Sequence, residues 1–514
     1  MTGIASTQLV TAGWIVIVIY MFIILFFVIR GSLKIKSISD YAVGNIAFSP
    51  VAVGLSLAAS MTSAATFIIN PGFVALYGVS GVISLGLVVP IAALFSLTIL
   101  TKGFRKYGSK VKALSLSQWI GSRYQSKGYA LFFGFLSLLL LTFVVLICVG
   151  LTKVLSKTLN VEEIYILIGI VAFIFGYMMF GGANSMVYTN TVQASLMLVV
   201  AFILLGSGHE HFSNGVHGFL DRLRAIDPLL AQWTNPSSFL FRDFFEIFVC
   251  QIVVGIAIVC QPHIITKSLL LKTDQDVNKY LAVGIVAEFI FFIVVIAGLY
   301  ARLMFPDLTV DGVPLKMDGI MSAYVVKEFP VYIGLIVIMG LVSAGISTLE
   351  GLIQALSTTI TADIIKPLFG RYLPVDQDRR SAMEITINKG VILVLAVVTV
   401  FVSYDQLMHP KLSVGIFAQN GVYAYFAAAF VPLLFGMFLK NVPKMSPILA
   451  SLTAVTVHFT MYYGKLPVPL TKATGENPGV AAAVAIMSSV LIGWLVLVLK
   501  RKTAAPEKFA RAQS

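Results

Sequence analysis

One membrane-length apolar stretch of the chain reads Gly54-Leu-Ser-Leu-Ala-Ala-Ser-Met-Thr-Ser-Ala-Ala-Thr-Phe-Ile-Ile-Asn-Pro-Gly72. Its apolar background is interrupted by hydroxyl and amide side chains and by a closing Pro-Gly pair; the polar residues are Ser56, Ser60, Thr62, Ser63, Thr66 and Asn70. Inside a bilayer such groups are tolerated only where they face protein or a polar cavity. A broken, hydroxyl-rich helix near the bilayer midplane is typical of secondary transporters, which hold a solute and a coupling ion at the break.

The composition of the whole chain is that of a membrane protein. Of its 514 residues, 58% are hydrophobic and 11% are charged, whereas soluble domains have about 25% charged residues. The first apolar run, Trp14 to Ile29, lacks a small-residue cleavage site, so we expect it to remain as a spanning helix. The three cysteines, Cys148, Cys250 and Cys260, lie in apolar runs, and the sequence assigns them neither a disulfide nor a metal site.

The net charge of +13 first suggests a nucleic acid as a partner, but the placement of the basic residues argues against it. Window length predicts about thirteen spans. With the amino terminus outside, most Lys and Arg residues fall on the cytoplasmic side, which is the positive-inside bias. The main basic clusters begin at Arg30, Lys102, Lys366 and Lys500. We therefore predict a multi-pass protein of the cell membrane, with its amino terminus outside and its carboxyl terminus cytoplasmic.

The order of the predicted spans indicates an all-α transporter with an inverted repeat. A leader helix at 11–30 is followed by five spans at 49–206, five more at 240–438, and two peripheral helices at 444–500. Because five is odd, the second set must cross the membrane with the opposite polarity. Repeats of opposite polarity are a hallmark of transporter cores, so the chain is predicted to form a single transmembrane domain with a five-plus-five core.

The first helix of each predicted repeat is irregular. The first contains Asn70-Pro71-Gly72, and the second contains Gln251, Gly255 and Gln261-Pro262-His263. Matching interruptions in two halves of opposite topology point to the binding site of a transporter.

The ninth predicted span contains Ser343, Ser347 and Thr348, with Glu350 and Gln354 beyond them. A hard cation such as sodium prefers oxygen ligands. Hydroxyls of this span and carbonyls freed by a break at 59–62 would supply them. The alternative is that these hydroxyls bond to the preceding turn or pack helices together.

Other intramembrane polar residues leave several alternatives open. Asn190 and Gln193 lie on one helix face and either bond between helices or hold an ion. The amides of Gln251 and Gln419 either line a solute cavity or mark helix ends. His263 lies near the cytoplasmic end of its span, where it is a boundary residue or a proton carrier.

Three carboxylates, Glu246, Glu288 and Glu350, fall within or near spans. A carboxylate in a membrane is a candidate functional group. We expect Glu246 and Glu288 close to the membrane edge and Glu350 in the cytoplasmic exit path, and none has a Lys or Arg partner in its own span.

Enzymatic activity finds little support in the sequence. Gly78-Val-Ser-Gly81 fits the G-x-S-G pattern of intramembrane serine proteases, but it falls in a predicted connector, far from the next histidine, His209. Metalloprotease, Walker and dinucleotide-binding motifs with a usable context are absent from the sequence. The histidine-containing outer loop, about 207–239, suits an exposed polar loop better than a metal site. We expect a chain that is not an enzyme and has no cofactor other than a coupling ion.

Several motifs together resemble the sodium/solute symporter family, which includes sodium/proline and sodium/pantothenate symporters. They are Asp40-Tyr-Ala-Val-Gly44, Ala58-Ala-Ser-Met-Thr-Ser-Ala-Ala-Thr-Phe67, Asn70-Pro71-Gly72, Thr189-Asn-Thr-Val-Gln-Ala-Ser-Leu-Met197, Pro262-His263 with Lys267, Ala344-Gly-Ile-Ser-Thr348 and Thr361-Ala-Asp-Ile-Ile-Lys-Pro367. The resemblance covers most of the chain, and the order and spacing of the motifs make it specific.

The resemblance implies one sodium site between the first core helix and the ninth span. Its ligands would be the carbonyls of Ala59, Thr62 and Ala344 and the hydroxyls of Ser347 and Thr348.

A departure from the family pattern bears on stoichiometry. Family members with a further sodium site have an aspartate where this chain has Asn190. A neutral amide attracts a cation less than a carboxylate does, so we expect one sodium per solute.

The function predicted from the sequence is sodium-coupled import of a small organic solute: a monocarboxylate, a pantothenate-like acid or an amino acid. The solute is predicted to sit among Ser63, Thr66, Phe67, Gln251 and Gln419, with Phe67 as an apolar gate; Phe67 packing in the core and Gln251 bonding a neighbouring helix is the alternative. Proton coupling on the same fold remains open. A transporter-like sensor or receptor is also possible, but the short tail after the last span leaves little room for a signalling domain.

Overall fold

The computed structural model of the protein describes residues 7–271, 273–310, 312–409 and 413–511, and for residues 501–511 it describes the backbone alone. In these ranges the chain is almost wholly helical. Its strands there are Thr309–Val310 and Val313–Pro314, which form a small antiparallel hairpin. The predicted all-α class is confirmed.

The helices are numbered in chain order. They are α1 (Thr7–Ser32), α2 (Ile38–Val43), α3 (Pro50–Met61), α4 (Ala65–Tyr77), α5 (Val79–Val111), α6 (Leu116–Arg123), α7 (Lys127–Leu159), α8 (Glu163–Gly206), α9 (Gly215–Ile226), α10 (Phe245–Ile258), α11 (Pro262–Leu270), α12 (Asp274–Met304), α13 (Ile320–Glu328), α14 (Val331–Tyr372), α15 (Gln377–Met408), α16 (Val414–Phe438), α17 (Met445–Gly464) and α18 (Pro478–Arg511). Short single turns lie at His209–Phe212, Pro228–Ala231, Met317–Gly319 and Gly370–Tyr372, the last within α14.

Nine helices in the described ranges are long and apolar enough to cross a membrane. The number of spans rises to eleven if each of two pairs of helices, joined at a sharp bend, is counted as one span. The prediction of about thirteen spans is higher for two reasons. Two predicted spans join in the 44-residue α8, whose backbone kinks at Gly182 with φ 60°. The second reason is α17, a 20-residue helix that was predicted as a span but is not counted among the nine because it is less apolar.

The first interrupted span consists of α3 and α4, which meet at an angle of 54°. The helix breaks at Thr62–Ala64, directly after the break predicted at 59–62. It continues through the Pro-Gly pair, where the sequence had predicted a further interruption. The chain passes Pro71 without a break because the preceding turn, Ala65–Ile69, is a wide π-turn in which Asn70 N–H donates to the Ala65 carbonyl. The wide turn accommodates a proline that has no N–H of its own.

The second interrupted span consists of α10 and α11, which meet at 56°. Gln251 and Gly255 lie inside regular helix, and the break falls just before Pro262, where Gln261 has an extended backbone with ψ 136°. An extended residue before a proline is the expected geometry. The two matching bends agree with the predicted repeat, whose boundaries stay a prediction.

Helix α12 lies along both halves of the first interrupted span, and glycines make the approach close. A Cβ atom on Gly54 would stand 2.7 Å from the carbonyl oxygen of Tyr280 on α12. A Cβ atom on Gly298 of α12 would overlap the carbonyl of Pro71. Backbone contact of this kind is how membrane helices pack without a hydrophobic driving force. It holds both halves of the broken helix against the one continuous helix α12.

The leader helix α1 lies at the periphery. Of the 18 most apolar consecutive residues in α1, 22% are buried, and Phe22 and Phe26 are exposed. Its contact with α8 is made where Gly31 approaches Ser185. The exposed aromatic face suits lipid, as expected for a helix outside the core.

Substitution of Gly298 tests the close contact between α12 and α4. We expect Gly298→Ala to lower the melting temperature of the detergent-purified protein by several degrees, because overpacking against a backbone costs about 1–3 kcal/mol. Gly176→Ala is the matched control, since a Cβ atom at that helical glycine meets nothing within 4 Å. Equal melting temperatures for the two variants would contradict the packing described here.

Candidate functional site

The break between α3 and α4 faces the middle of α14. Because α3 ends at Met61, the carbonyls of its last turn lose their partners in the helical ladder. Ser347 on α14 donates its hydroxyl to the carbonyl of Ala59 at 2.7 Å. It also lies 3.1 Å from the carbonyl of Ala344 in its own helix.

The next residue along α14 repeats this arrangement. The hydroxyl of Thr348 donates to the carbonyl of Thr62 at 3.2 Å and to that of Ala344 at 3.1 Å. All five predicted ligand residues, Ala59, Thr62, Ala344, Ser347 and Thr348, have no exposed surface. The structure therefore brings the five predicted sodium ligands together in one fully buried place, and their role as ion ligands stays a prediction.

Ser343, one turn earlier on α14, does not join this group. Its hydroxyl lies 3.1 Å from the hydroxyl of Tyr20 on the leader helix. It bonds between helices, which is the alternative that the sequence had left open for these hydroxyls.

Glu288 lies beside the predicted ion ligands. The sequence analysis had placed it close to the membrane edge. Its side chain has no exposed surface, and Thr62 donates its hydroxyl to one carboxyl oxygen at 3.1 Å. The expectation was wrong because Glu288 lies in the middle of α12, the helix that runs beside the break. A lone carboxylate in the run Ala287-Glu-Phe-Ile-Phe-Phe292 was the available signal.

Glu350 lies one turn along α14 from the predicted ligands and is also fully buried. Tyr177 donates its hydroxyl to one carboxyl oxygen at 2.5 Å, and Thr189 donates to the other at 2.6 Å. Both donors come from α8. The carboxylate is thus held within the helix bundle by two hydroxyls.

Glu246 forms an ion pair at the start of α10. Arg242 binds it at 2.6 Å, and Asn477, just before α18, donates to the same oxygen at 3.3 Å. The carboxylate is buried although it lies at a helix end. Arg242 lies within the predicted span that begins at 240, so the expectation that Glu246 has no Lys or Arg partner in its own span was wrong. The contact with Asn477 fastens the segment before α18 to α10.

The predicted solute residues fall into two groups. Gln251 and Gln419 line one small cavity between α10 and α16, which also contains Phe73, Tyr423 and Asn477. The carbonyl oxygen of the Gln251 side chain has no hydrogen-bond partner in the described part of the chain. An amide oxygen without a partner is suited to a ligand that donates a hydrogen bond.

The other three solute candidates, Ser63, Thr66 and Phe67, lie at the break and do not line that cavity. Ser63 accepts a hydrogen bond from the N–H of Ala65 at 3.1 Å and so caps α4. Phe67 is fully buried against Phe291, with ring centroids 5.7 Å apart. The structure thus separates the two predicted groups, and their role in solute binding stays a prediction.

A family model, the sodium:solute symporter family, matches residues 41–453 of the chain. The chain belongs to this family. Its members are symporters, so the predictions of a sodium-coupled transporter and of a protein that is not an enzyme are confirmed.

Two curated relatives are sodium/pantothenate symporters. The protein from Haemophilus influenzae is 26% identical over 333 residues, which cover 64% of this chain and 66% of that protein. The protein from Escherichia coli is 27% identical over 379 residues, which cover 70% of this chain and 73% of that protein.

A solved structure shows the same fold. A sodium-coupled sialic acid symporter, in a substrate-bound outward-open state, superposes with a TM-score of 0.75 over 95% of this chain and 98% of its own. The identity is 16%, so the likeness concerns the fold alone.

Removal of the two hydroxyls tests the ion site. We expect Ser347→Ala with Thr348→Ala to raise the sodium concentration for half-maximal solute uptake at least roughly tenfold, because each lost hydrogen-bonding ligand in a dry site costs about 1–3 kcal/mol. Ser489→Ala is the control, since this fully buried hydroxyl in α18 donates to the carbonyl of Ile486 in its own helix. Unchanged sodium dependence in the double variant would refute the assignment.

Proposed function

We propose that the protein imports a small organic acid or amino acid together with sodium, and that sodium binds where α14 crosses the break between α3 and α4. The observation that carries this proposal is the convergence of two hydroxyls, Ser347 and Thr348, on carbonyls freed by the break. Transporters that alternate between outward and inward access place their ion sites at such breaks. The family assignment supports the same ion.

The solute site is proposed to lie between the two interrupted spans, with one group of candidate residues at the break and the other at the cavity of Gln251 and Gln419. On one side, the amino-terminal end of α4 presents a positive dipole end toward the break. On the other, Gln251 and Gln419 present amides to a shared cavity. A dipole end suits a carboxylate, and amides suit a hydroxyl, an amide or an amino group.

The residues that line this small cavity support a proposal for the class of solute. Next to the amides stand the aromatic residues Phe73, Phe241 and Tyr423. A sugar needs a dense set of hydrogen bonds, which this lining does not offer. A monocarboxylate, a pantothenate-like acid or an amino acid fits better, and the two curated relatives named for pantothenate support this choice.

Proton coupling is the second candidate, and one observation favours it. Glu288 is buried next to Thr62, and one of its carboxyl oxygens has no hydrogen-bond partner in the described residues. A carboxyl group in such a place would carry a proton. Sodium remains the preferred ion because the five oxygens of the ligand set need no protonation change to bind it.

The orientation proposed for the protein places the amino terminus outside and the carboxyl terminus in the cytoplasm. Supporting it are the basic residues at the ends of α1 and α5, among them Arg30, Lys106 and Lys110. These ends lie on one side if each span crosses once, as the positive-inside bias requires.

Uptake into proteoliposomes tests the function. A panel of radiolabelled pantothenate, lactate, proline and glucose is offered with an inward sodium gradient, with an inward proton gradient, and with neither. We expect accumulation of a carboxylate solute only with the sodium gradient, because the ion supplies the driving force. Accumulation driven by protons alone, or of glucose alone, would contradict the proposal.

The same vesicles test the solute site. Gln251→Leu should raise the solute concentration for half-maximal uptake by roughly tenfold, the loss of about one hydrogen bond of 1.4 kcal/mol, and should leave the sodium dependence unchanged. Gln232→Leu, in the outer loop, is the control. A shift in the sodium dependence with no shift in the solute dependence would place Gln251 outside the solute site.

A further inference from the structure

A buried cation stands next to the proposed sodium site. The side chain of Lys267 on α11 is 3% exposed. Its ammonium donates to the Ser56 carbonyl at 2.9 Å and to the Ser56 hydroxyl at 2.7 Å. Ser56 is one turn before the sodium-ligand turn of α3, so the ammonium joins the second interrupted span to the first.

The third partner of the ammonium is the amide of Asn190 on α8. In the orientation that satisfies its neighbours, the amide oxygen accepts from Lys267 Nζ at 3.2 Å and from the hydroxyls of Ser60 and Ser56 at 3.1 and 3.2 Å. An ammonium has three donors and no acceptor. Three oxygens around Nζ therefore match a charged lysine.

The other end of the same amide reaches a carboxylate. Its N–H₂ group donates to Glu350 Oε2 at 2.7 Å and to Gln193 Oε1 at 3.0 Å. Asn190 thus bridges a buried ammonium and a buried carboxylate. Removing one partner of such a pair leaves an uncompensated buried charge, which is strongly unfavourable.

This bridge is continuous with the proposed sodium site. The hydroxyl oxygen of Ser60 also lies 3.4 Å from the Ser347 carbonyl oxygen, next to the predicted ion ligands. The three oxygens around the ammonium belong to a carbonyl, a hydroxyl and an amide that also bonds a carboxylate. These are oxygen ligands that sodium also takes.

We propose that the Lys267 ammonium is a built-in cation that occupies an oxygen cage suited to a second sodium ion, with Glu350 as its counter-charge. This inference rests on the proposed function in that it concerns the ions of the same transport cycle. It gives a physical reason for one sodium per solute: the second positive charge belongs to the protein. A purely structural lysine would fasten α11 to α3 without any effect on the number of ions bound.

The test counts sodium ions bound to purified protein by equilibrium binding of radioactive sodium. We expect one ion per wild-type chain and two per Lys267→Gln chain, because the carboxylate of Glu350 then requires a cation. The double variant Lys267→Gln with Glu350→Gln removes both charges and should return to one ion. Melting temperatures in sodium and in choline report folding of each variant, and sodium should stabilise Lys267→Gln more than the wild type.

The count in the wild type and the change on mutation answer separate questions. A wild-type protein that binds no sodium would refute the proposed function, whereas the inference depends only on the gain of one ion in Lys267→Gln and its loss in the double variant. An equal count in all three proteins would overturn the inference. So would a Lys267→Gln chain that fails to fold in molar sodium while the double variant folds, because sodium would then not replace the ammonium.

Discussion

A carbonyl inside a membrane protein has no water to bond with, and this constraint governs the site. Where α3 ends at Met61, the carbonyls of Ala59 and Thr62 leave the helical ladder and need other partners. Ser347 and Thr348 on α14 supply them. These oxygens, which satisfy one another across the two helices, are the ligands of the proposed sodium site.

The buried charged groups near the site must also be balanced within the protein, because no water is present to solvate them. The proposed sodium ligands are neutral, but Glu288 bonds Thr62 and places a carboxyl group next to them. On the other side, Lys267 and Glu350 face the two ends of the Asn190 amide. Interactions between charges are much stronger here than at a surface. A change in the charge of one of these groups therefore changes the energy of the others. Both interrupted spans, with α8, α12 and α14, thereby share one buried polar network.

Much of this arrangement could be predicted from the sequence. Apolar length predicted most of the spans, and the hydroxyls at 347–348 were predicted to face a helix break, as they do. Membrane proteins bury such groups only where they face protein or a polar cavity. The break predicted at 59–62 lies at Thr62–Ala64. The continuous helix past Pro71 could not be predicted, because proline is a strong breaking signal and a π-turn accommodates it here. The positions of Glu288 and Lys267 also escaped prediction, since their partners lie on other helices more than 200 residues away in the chain.

The central claim is that sodium joins α14 to the break in the first core span. Hydrogen–deuterium exchange of the purified protein in sodium and in choline tests it most directly, since an ion that bridges the two helices must suppress their local opening. Sodium is expected to slow exchange in peptides covering residues 58–66 and 340–350 and to leave peptides covering 480–495 in α18 unchanged. Equal exchange in sodium and choline across both site peptides, at a sodium concentration that supports uptake, would contradict the account.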